Sequence, residues 1–550
     1  MNENSYSLHK FLFPFRWSLN DNKDTEKYTS LPDRTPLSRL GELNIIDSTY
    51  WKPFNYEIKV DDNHNTYNDY FYFYEAVRDV LNLELVDDNY INEYQFQYSG
   101  LSEESTICFK LKNKGEFILN IDEVYLNIYE NGVGVFIFNL SNNKHHDFDD
   151  VLLINDYGRR ICPQFLGGEG DFISAPKWSF LPDTITIKNV DTYLDTETIV
   201  EDFSHYTDLT VLNKEPFKIP RTIKAFLGIK ICSEYDWLED SISIHPIMDD
   251  RMYVMSYVLD TELLENCIYS QTDRRPRVEK LQDVRTMKHT EYNYIKNPDW
   301  YKYVFLDSNT LSCHSPKMMK EQLETSSYDR WLGYINRDSK SGKLSYGGQF
   351  YGVSRYSFCA LAADDGFCRN IISQHFNSVY FSMVLIVLIQ RSYVLNFSNE
   401  VAKITNLINR KSVPFRLLKG DISQLYLLYI KFVNRVNFRE VTPQEQGIEI
   451  YDKMREVMRI GPEVSQLDLE MQELNTYVEN YQQATLNNIA NWFLPLALVA
   501  GFLGMNTLDY ELASKDCPAE FYPTLYGVIS ILLVMISIFI LIRQLLQWRK

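Results

Sequence analysis

Apolar and polar residues alternate through EFILNIDEVYLNIYENGVGVFIFNL, residues 116–140, on either side of Asn131-Gly132. A period of two flanking that dipeptide predicts a β-hairpin. The same texture predicts strands at 106–111, 184–188, 223–232 and 252–259, with a helix at 70–81. Beyond residue 370 the period lengthens. The stretch IISQHFNSVYFSMVLIVLIQRSYVL opens a helix over 371–410. Its unbroken apolar core, 383–389, is too short to cross a bilayer, so a buried helix is expected. A second helix follows from Leu418 to about Arg439, with Leu425, Leu428, Ile430 and Val433 on its apolar side. Thr442-Pro443-Gln444-Glu445 then has the form of a capping box.

After Gly461-Pro462, the residues Val464, Leu467, Met471, Leu474, Val478, Tyr481 and Thr485 recur three and four apart, a coiled-coil-like seam. Unbroken to Asn506, that helix is about 66 Å long at 1.5 Å per residue. Its seam is expected to pack against copies of itself, the alternative being packing within one chain. Two uncharged segments close the chain, at 489–505 and 521–542. The second is long enough for about 30 Å of hydrocarbon, and the first is at the short limit. Arg543, Arg549 and Lys550 follow the second segment, whereas Asp509, Glu511, Asp516 and Glu520 lie between the two. The positive-inside rule then puts both termini in the cytoplasm.

Composition narrows the reading. At 550 residues the chain is expected to hold more than one domain, and 14% aromatic content argues for packed structure. A net charge of −19 speaks against coating a nucleic-acid backbone, which needs clustered Lys and Arg. The eight cysteines have no metal-ligand spacing. Seven precede the first membrane segment and are expected to be reduced cytosolic thiols. MNENSYSLHK lacks the features of a signal peptide, so the large N-terminal part is expected to stay where it is made.

The stretch FLPLALVAGFLGMN, 493–506, set before a short acidic loop and a final apolar segment, resembles the CorA family of divalent-cation channels. The resemblance implies two transmembrane helices per subunit and a homo-oligomer, a pentamer, in the inner membrane. The first membrane helix would line the pore. Asn506 would meet hydrated Mg²⁺ or another divalent cation through its side-chain carbonyl, Gly504 would allow close backbone approach, and Met505 would help set the turn. Mg²⁺ gives up water reluctantly, so neutral oxygen acceptors suit it. The chain departs from the family at Leu503, where an aromatic is usual, and at Ala497, where a threonine is usual; the loop also lacks the usual M-P-E-L. The pore would be more apolar than usual at Leu494 and Ala497.

FLFPFRW (11–17), NIYENGVGVFIF and LLINDYGRRICPQFL are similar to stretches of the CorA-type membrane effectors associated with type III CRISPR systems. That resemblance implies a large cytoplasmic α+β sensor for a small nucleotide messenger, S-adenosylmethionine joined to AMP in that family. The expected partition is a sensing domain at 1–300, a helical neck at 301–462 and a stalk with the first membrane helix at 463–506. An external loop at 507–520, the second membrane helix at 521–542 and a basic tail at 543–550 complete it.

A phosphate-bearing ligand needs guanidinium or backbone donors. Arg159 and Arg160, after Asp156-Tyr157-Gly158, are candidates at an expected strand-to-turn junction, against surface ion pairing as the alternative. Asp249, Asp250 and Arg251 offer carboxylates for an amine or hydroxyl, or simply form a turn with an ion pair. Tyr351, Arg355 and Tyr356 make a candidate aromatic-plus-arginine surface, or core. Gly167-Gly168-Glu169-Gly170 is a candidate phosphate loop or a plain turn. HHDFDD, 145–150, reads as a solvated loop rather than a metal site. SKSGKLS lacks the first glycine of a Walker A motif, and no hydrolase motif occurs, so no enzyme or enzymatic cofactor is expected. A housekeeping Mg²⁺ uptake channel gated by intracellular Mg²⁺, a membrane-anchored scaffold and a sensor that degrades its ligand remain as alternatives.

Overall fold

In FLFPFRW the alternation of large and other residues is satisfied by a long strand, β1 (Ser7–Asn20). Phe11, Phe13, Phe15 and Trp17 enter the main hydrophobic core, and the residues between them face the other side of the sheet. This computed structural model describes residues 5–20, 49–54, 65–81, 93–111, 113–129, 131–162, 181–194, 198–203, 219–228, 230–232, 241–269, 279–280, 282, 292–308, 311–337, 344–408, 414–504 and 535.

Seven more strands precede residue 203: β2 (Trp51–Pro53), β3 (Glu93–Tyr98), β4 (Leu101–Leu111), β5 (Gly115–Tyr129), β6 (Val133–Asn142), β7 (Thr184–Val190) and β8 (Thr198–Asp202). Then come β9 (Ile231–Cys232), β10 (Ser241–Pro246), β11 (Tyr253–Leu259), β12 (Ser327–Tyr328), β13 (Ile335–Arg337), β14 (Leu344–Tyr346), β15 (Gln349–Val353) and β16 (Ser357–Ala362). All but β13 and β14 join one 14-stranded sheet, whose main path is β12-β15-β16-β11-β1-β6-β5-β4-β7-β8. The expected hairpin is β5–β6, with Ile128 opposite Gly134. Gly132 takes φ +84 in its turn, which an L side chain rarely adopts.

One edge of β1 runs along β6, while the other changes partner, pairing with β11 over Ser7–Leu12 and with β10 over Phe15–Asn20. Pro14 stands at the change. Its carbonyl accepts from the Ile247 N–H on that edge, where its own nitrogen has no hydrogen to give.

The helices are α1 (Asn65–Tyr72), α2 (Glu75–Val80), α3 (Phe148–Gly158), α4 (Arg221–Leu227), α5 (Thr261–Ile268), α6 (Pro298–Phe305), α7 (Pro316–Ser326), α8 (Phe381–Ile408), α9 (Phe415–Arg435), α10 (Glu445–Val457) and α11 (Ile460–Gly504). Two π-helical turns, Cys368–Ile372 and Phe376–Tyr380, lead into α8. The helix they form with it, Cys368–Ile408, is long and apolar enough to cross a membrane, but 72% of its most apolar window is buried within the chain. The expected buried helix is therefore observed. Gln390 explains how a polar residue is tolerated there: its Nε2 donates to the Val436 carbonyl at 2.8 Å and to the Tyr451 hydroxyl at 3.0 Å.

Several expectations are corrected. Residues 223–232 are not one strand, because 221–227 forms α4, whose Ile223, Ala225, Phe226 and Leu227 are buried, and only Ile231–Cys232 pairs as strand. The expected helix at 70–81 divides into α1 and α2. The sheet does not end at 300, since β12, β15 and β16 belong to it. Ile430 and Val433 are exposed rather than inside. α10 starts at Glu445, two residues beyond Pro443, the expected first helical position, and Thr442 Oγ1 accepts from the Gln444 N–H instead. The break before the long helix lies at Arg459, with φ +57, and Gly461-Pro462 falls inside the first turn of α11.

The chain divides into two compact units, 1–468 and 469–550. The first holds the sheet and the helices through α10. In the second, Met471, Leu474 and Val478 of the seam are buried. Tyr481 and Thr485 are exposed.

Candidate functional site

Arg159 and Arg160 follow the last turn of α3 rather than a strand. The helix starts where Asp147 accepts from the Asp149 N–H, so the first half of HHDFDD is the expected loop and Phe148-Asp149-Asp150 is the first helical turn. Leaving a helix, the two arginines are free of the strict opposition of a strand, and both approach Asp156. Arg160 forms an isolated bridge with Arg251, and the Arg159 carbonyl accepts from the Met252 N–H at 2.9 Å. Val254 N–H in turn donates to the Tyr356 carbonyl. Three segments far apart in sequence thus meet: the end of α3, the approach to β11 and the β15–β16 turn.

Asp156 organises the cluster. Its Oδ1 accepts from Arg160 Nε at 3.1 Å and Nη2 at 2.6 Å, and its Oδ2 accepts from the Ser308 hydroxyl at 2.7 Å. Arg159 Nη2 lies 3.9 Å from the same Oδ1. Arg251 donates to Asp249 through Nε at 3.1 Å and lies 3.9 Å from Asp250. The Tyr356 ring carries Arg159 at 5.6 Å and Arg251 at 5.8 Å from its centroid. Cations at that range gain roughly 0.5–2 kcal/mol each from the ring quadrupole.

Arg159 is the anomalous member. It is 4% exposed, yet its Nε and Nη1 have no hydrogen-bond partner. Burial pushes its guanidinium down to about 10, with Asp156 opposing. A buried donor left unsatisfied costs about 1–3 kcal/mol, so these two nitrogens are a standing demand for an acceptor.

The remaining candidates separate. Tyr351 is a core residue at 1% exposure, packed among Tyr328, Phe358 and Tyr380, and does not join the arginines. Arg355 is exposed in the β15–β16 turn, beside Tyr356. Gly167 to Gly170 lie outside the described residues. Asp156 and Ser308 had no sequence signal beyond the nearness of Asp156 to the arginines.

The membrane candidates fall on α11, which runs through Pro495 to Gly504. Leu486, Ile489, Phe493 and Leu494 are 64%, 48%, 66% and 69% exposed. Ala497 is exposed as well, and Gly504 is the last helical residue. Met505, Asn506, the loop and nearly all of the second apolar segment lie outside the described residues. No group of acidic, histidine and cysteine side chains able to hold a metal occurs among the described residues.

No protein-family model and no curated protein matches the chain. Among solved structures, full-length CmaX aligns over 53% of this chain and 88% of its own, at 11% identity and a TM-score of 0.15, too shallow a superposition to carry an argument.

Proposed function

We propose that this chain is a CorA-like membrane effector, in which a cytoplasmic sheet domain senses a small nucleotide messenger and gates an oligomeric pore in antiviral defence. The observation that carries the membrane part is the end of α11. Four large apolar residues there are about half or more exposed on one uncharged helical run. Such a surface is unfavourable in water and favourable in lipid. Pro495 within it suits a membrane helix, where neighbouring helices and local adjustments satisfy the freed backbone.

The arginine cluster supports the sensing part. Arg159 has two nitrogens with unsatisfied hydrogens, and phosphate oxygens are acceptors that guanidinium groups accommodate well. Binding favours an open arrangement only by the ligand's differential affinity for it. The pore residues are Leu494, Ala497, Gly504, Met505 and Asn506, with the asparagine facing a hydrated divalent cation.

Full-length protein in liposomes loaded with a Mg²⁺ indicator tests this. Flux is expected only when S-adenosylmethionine–AMP or a cyclic oligoadenylate is added, and Asn506→Ala should reduce it. Arg159→Met keeps an unbranched apolar stem but removes the guanidinium, and should abolish the response to messenger in protein that still melts cooperatively. Flux controlled by Mg²⁺ alone, indifferent to every nucleotide, would instead establish a housekeeping channel.

A further inference from the structure

Behind the sheet, on the face turned to α8, β5 breaks its alternation. Ile121 pairs with Leu140 and Glu123 with Asn139, leaving Asp122 as an extra residue. A bulge of this kind re-aims side chains. Here it lets consecutive carboxylates serve one polar cluster: Asp122 accepts from Ser141 Oγ at 2.8 Å, and Glu123 accepts from Asn139 Nδ2 at 2.9 Å. Lys10 of β1, paired with Asn139 in register, is 2% exposed and holds its ammonium 4.6 Å over the Phe381 ring.

Beside this cluster lies a cavity of about 180 Å³. Phe54, Phe73 and Phe381 supply aromatic walls, and Asp69, Glu123 and Asn139 supply acceptors. A cavity of about 150 Å³ accepts benzene, so this one has room for a ring-sized group. Asn139 is 5% exposed, and its Oδ1 has no partner although the residue lines the cavity. No Lys, Arg or His is among the described lining residues. Around it stand Asp69 on α1 and Asp122 and Glu123 on β5, against Lys10 on β1, while Arg78 of α2 is spent over the rings of Tyr70 and Phe71. Asp122 and Glu123 thus share one buried ammonium, and Asp69 adds a third carboxylate to the cavity wall.

We infer that this cavity binds the amine-bearing, cationic end of a small organic ligand, with the aromatic walls facing the cation and Glu123, Asp69 and the free Asn139 oxygen accepting from its N–H groups. An anionic group is excluded by the same carboxylates. Burial already holds Asp69 and Asp122 up at about 6, where a bound cation would favour their ionised forms. The π-helical turn Phe376–Tyr380 forms one wall, through Asn377 and Ser378, and such turns recur at functional sites. From there α8 runs to Arg391, which lies 3.3 Å from Glu463 in the first turn of α11, a physical route from the cavity to the long helix. The site is separate from the arginine cluster, and the inference does not depend on the pore.

Three ring compounds of one shape and different charge test it: benzamidine, benzamide and benzoate. Binding to full-length protein in detergent is read by ligand-observed NMR and thermal shift. Benzamidine is expected to bind saturably, benzamide about tenfold more weakly, and benzoate not at all. Glu123→Gln should weaken benzamidine roughly tenfold, and Ser382→Leu, which fills the cavity from α8, should abolish binding while melting normally. If Glu123→Gln does not fold, Ser382→Leu decides alone. Equal binding of benzoate, unchanged affinity in Ser382→Leu, or no saturable benzamidine binding at millimolar concentration would each overturn the assignment.

Discussion

His9 is fully buried in β1, with Nε2 against Ser7 Oγ at 2.9 Å and Nδ1 against Asn155 Oδ1 at 2.7 Å. Burial lowers its pKa from 6.5 to about 4, the Asn155 hydrogen bond opposing. As pH falls, the unfolded chain therefore takes up this proton first. The stability it contributes is complete above pH 6.5 and is lost on the way down to about 4, a difference of order 3 kcal/mol. His9→Gln should flatten the acid limb of melting temperature against pH across that window. An unchanged slope would mean that His9 takes up its proton at the same pH in the folded and unfolded chains. Asn155 and His9 are 146 positions apart, so no local pattern announces their bond. Arg159 and Arg160 stand out in the sequence as a pair, but not their difference: Asp156 grips Arg160, whereas Arg159 keeps unsatisfied donors.

Elements were legible where a period repeats for long enough to outweigh local choices. The β5–β6 hairpin, β11 and the buried α8 follow from pattern alone, because each places a continuous apolar face or core. Residues 223–232 did not, since Ile, Ala, Phe and Leu over four or five positions fit a buried helical turn as readily as a strand. Close packing then decides details that composition hides. A Cβ on Gly352 of β15 would stand 2.3 Å from Val304 and 2.9 Å from Trp300, both on α6. Gly352→Ala should thus separate helix from sheet at a cost of about 1–3 kcal/mol, seen as a lower urea midpoint. A midpoint equal to that of the unsubstituted protein would show that α6 can move aside freely.

At the scale of the whole molecule, a large sheet domain is followed by a helical C-terminal region, and α11 is long enough to belong to both compact units. Met471, Leu474 and Val478 are buried, whereas Tyr481, Leu486 and Ile489 further along the same helix are exposed. For the proposed membrane oligomer, oxidation of Ile489→Cys should produce cross-linked copies above the background of the native cysteines, and Met471→Cys should not. Equal cross-linking at both positions would show that the stalk surface begins nearer the sheet domain. Arg330 ties the segment after β12 to α10 through Glu445 at 2.8 Å and Glu449 at 2.7 Å. These exposed pairs fix orientation more than they add stability.

The sequence by itself determined the two textures of the chain, the period-two sheet and the long apolar helices, and with them the division into a sheet domain and a helical C-terminal region. It did so because hydrophobic periodicity is a local property, readable from neighbours. It also drew attention to the arginine pair and to Asp249-Asp250-Arg251, without joining them. Only the tertiary structure decided that they meet over Tyr356, that Tyr351 belongs to the core, and that a bulge at Asp122 turns polar residues toward a cavity. Those outcomes depend on which strand lies beside which, and register between distant segments is set by the packing of the whole sheet rather than by any stretch of it.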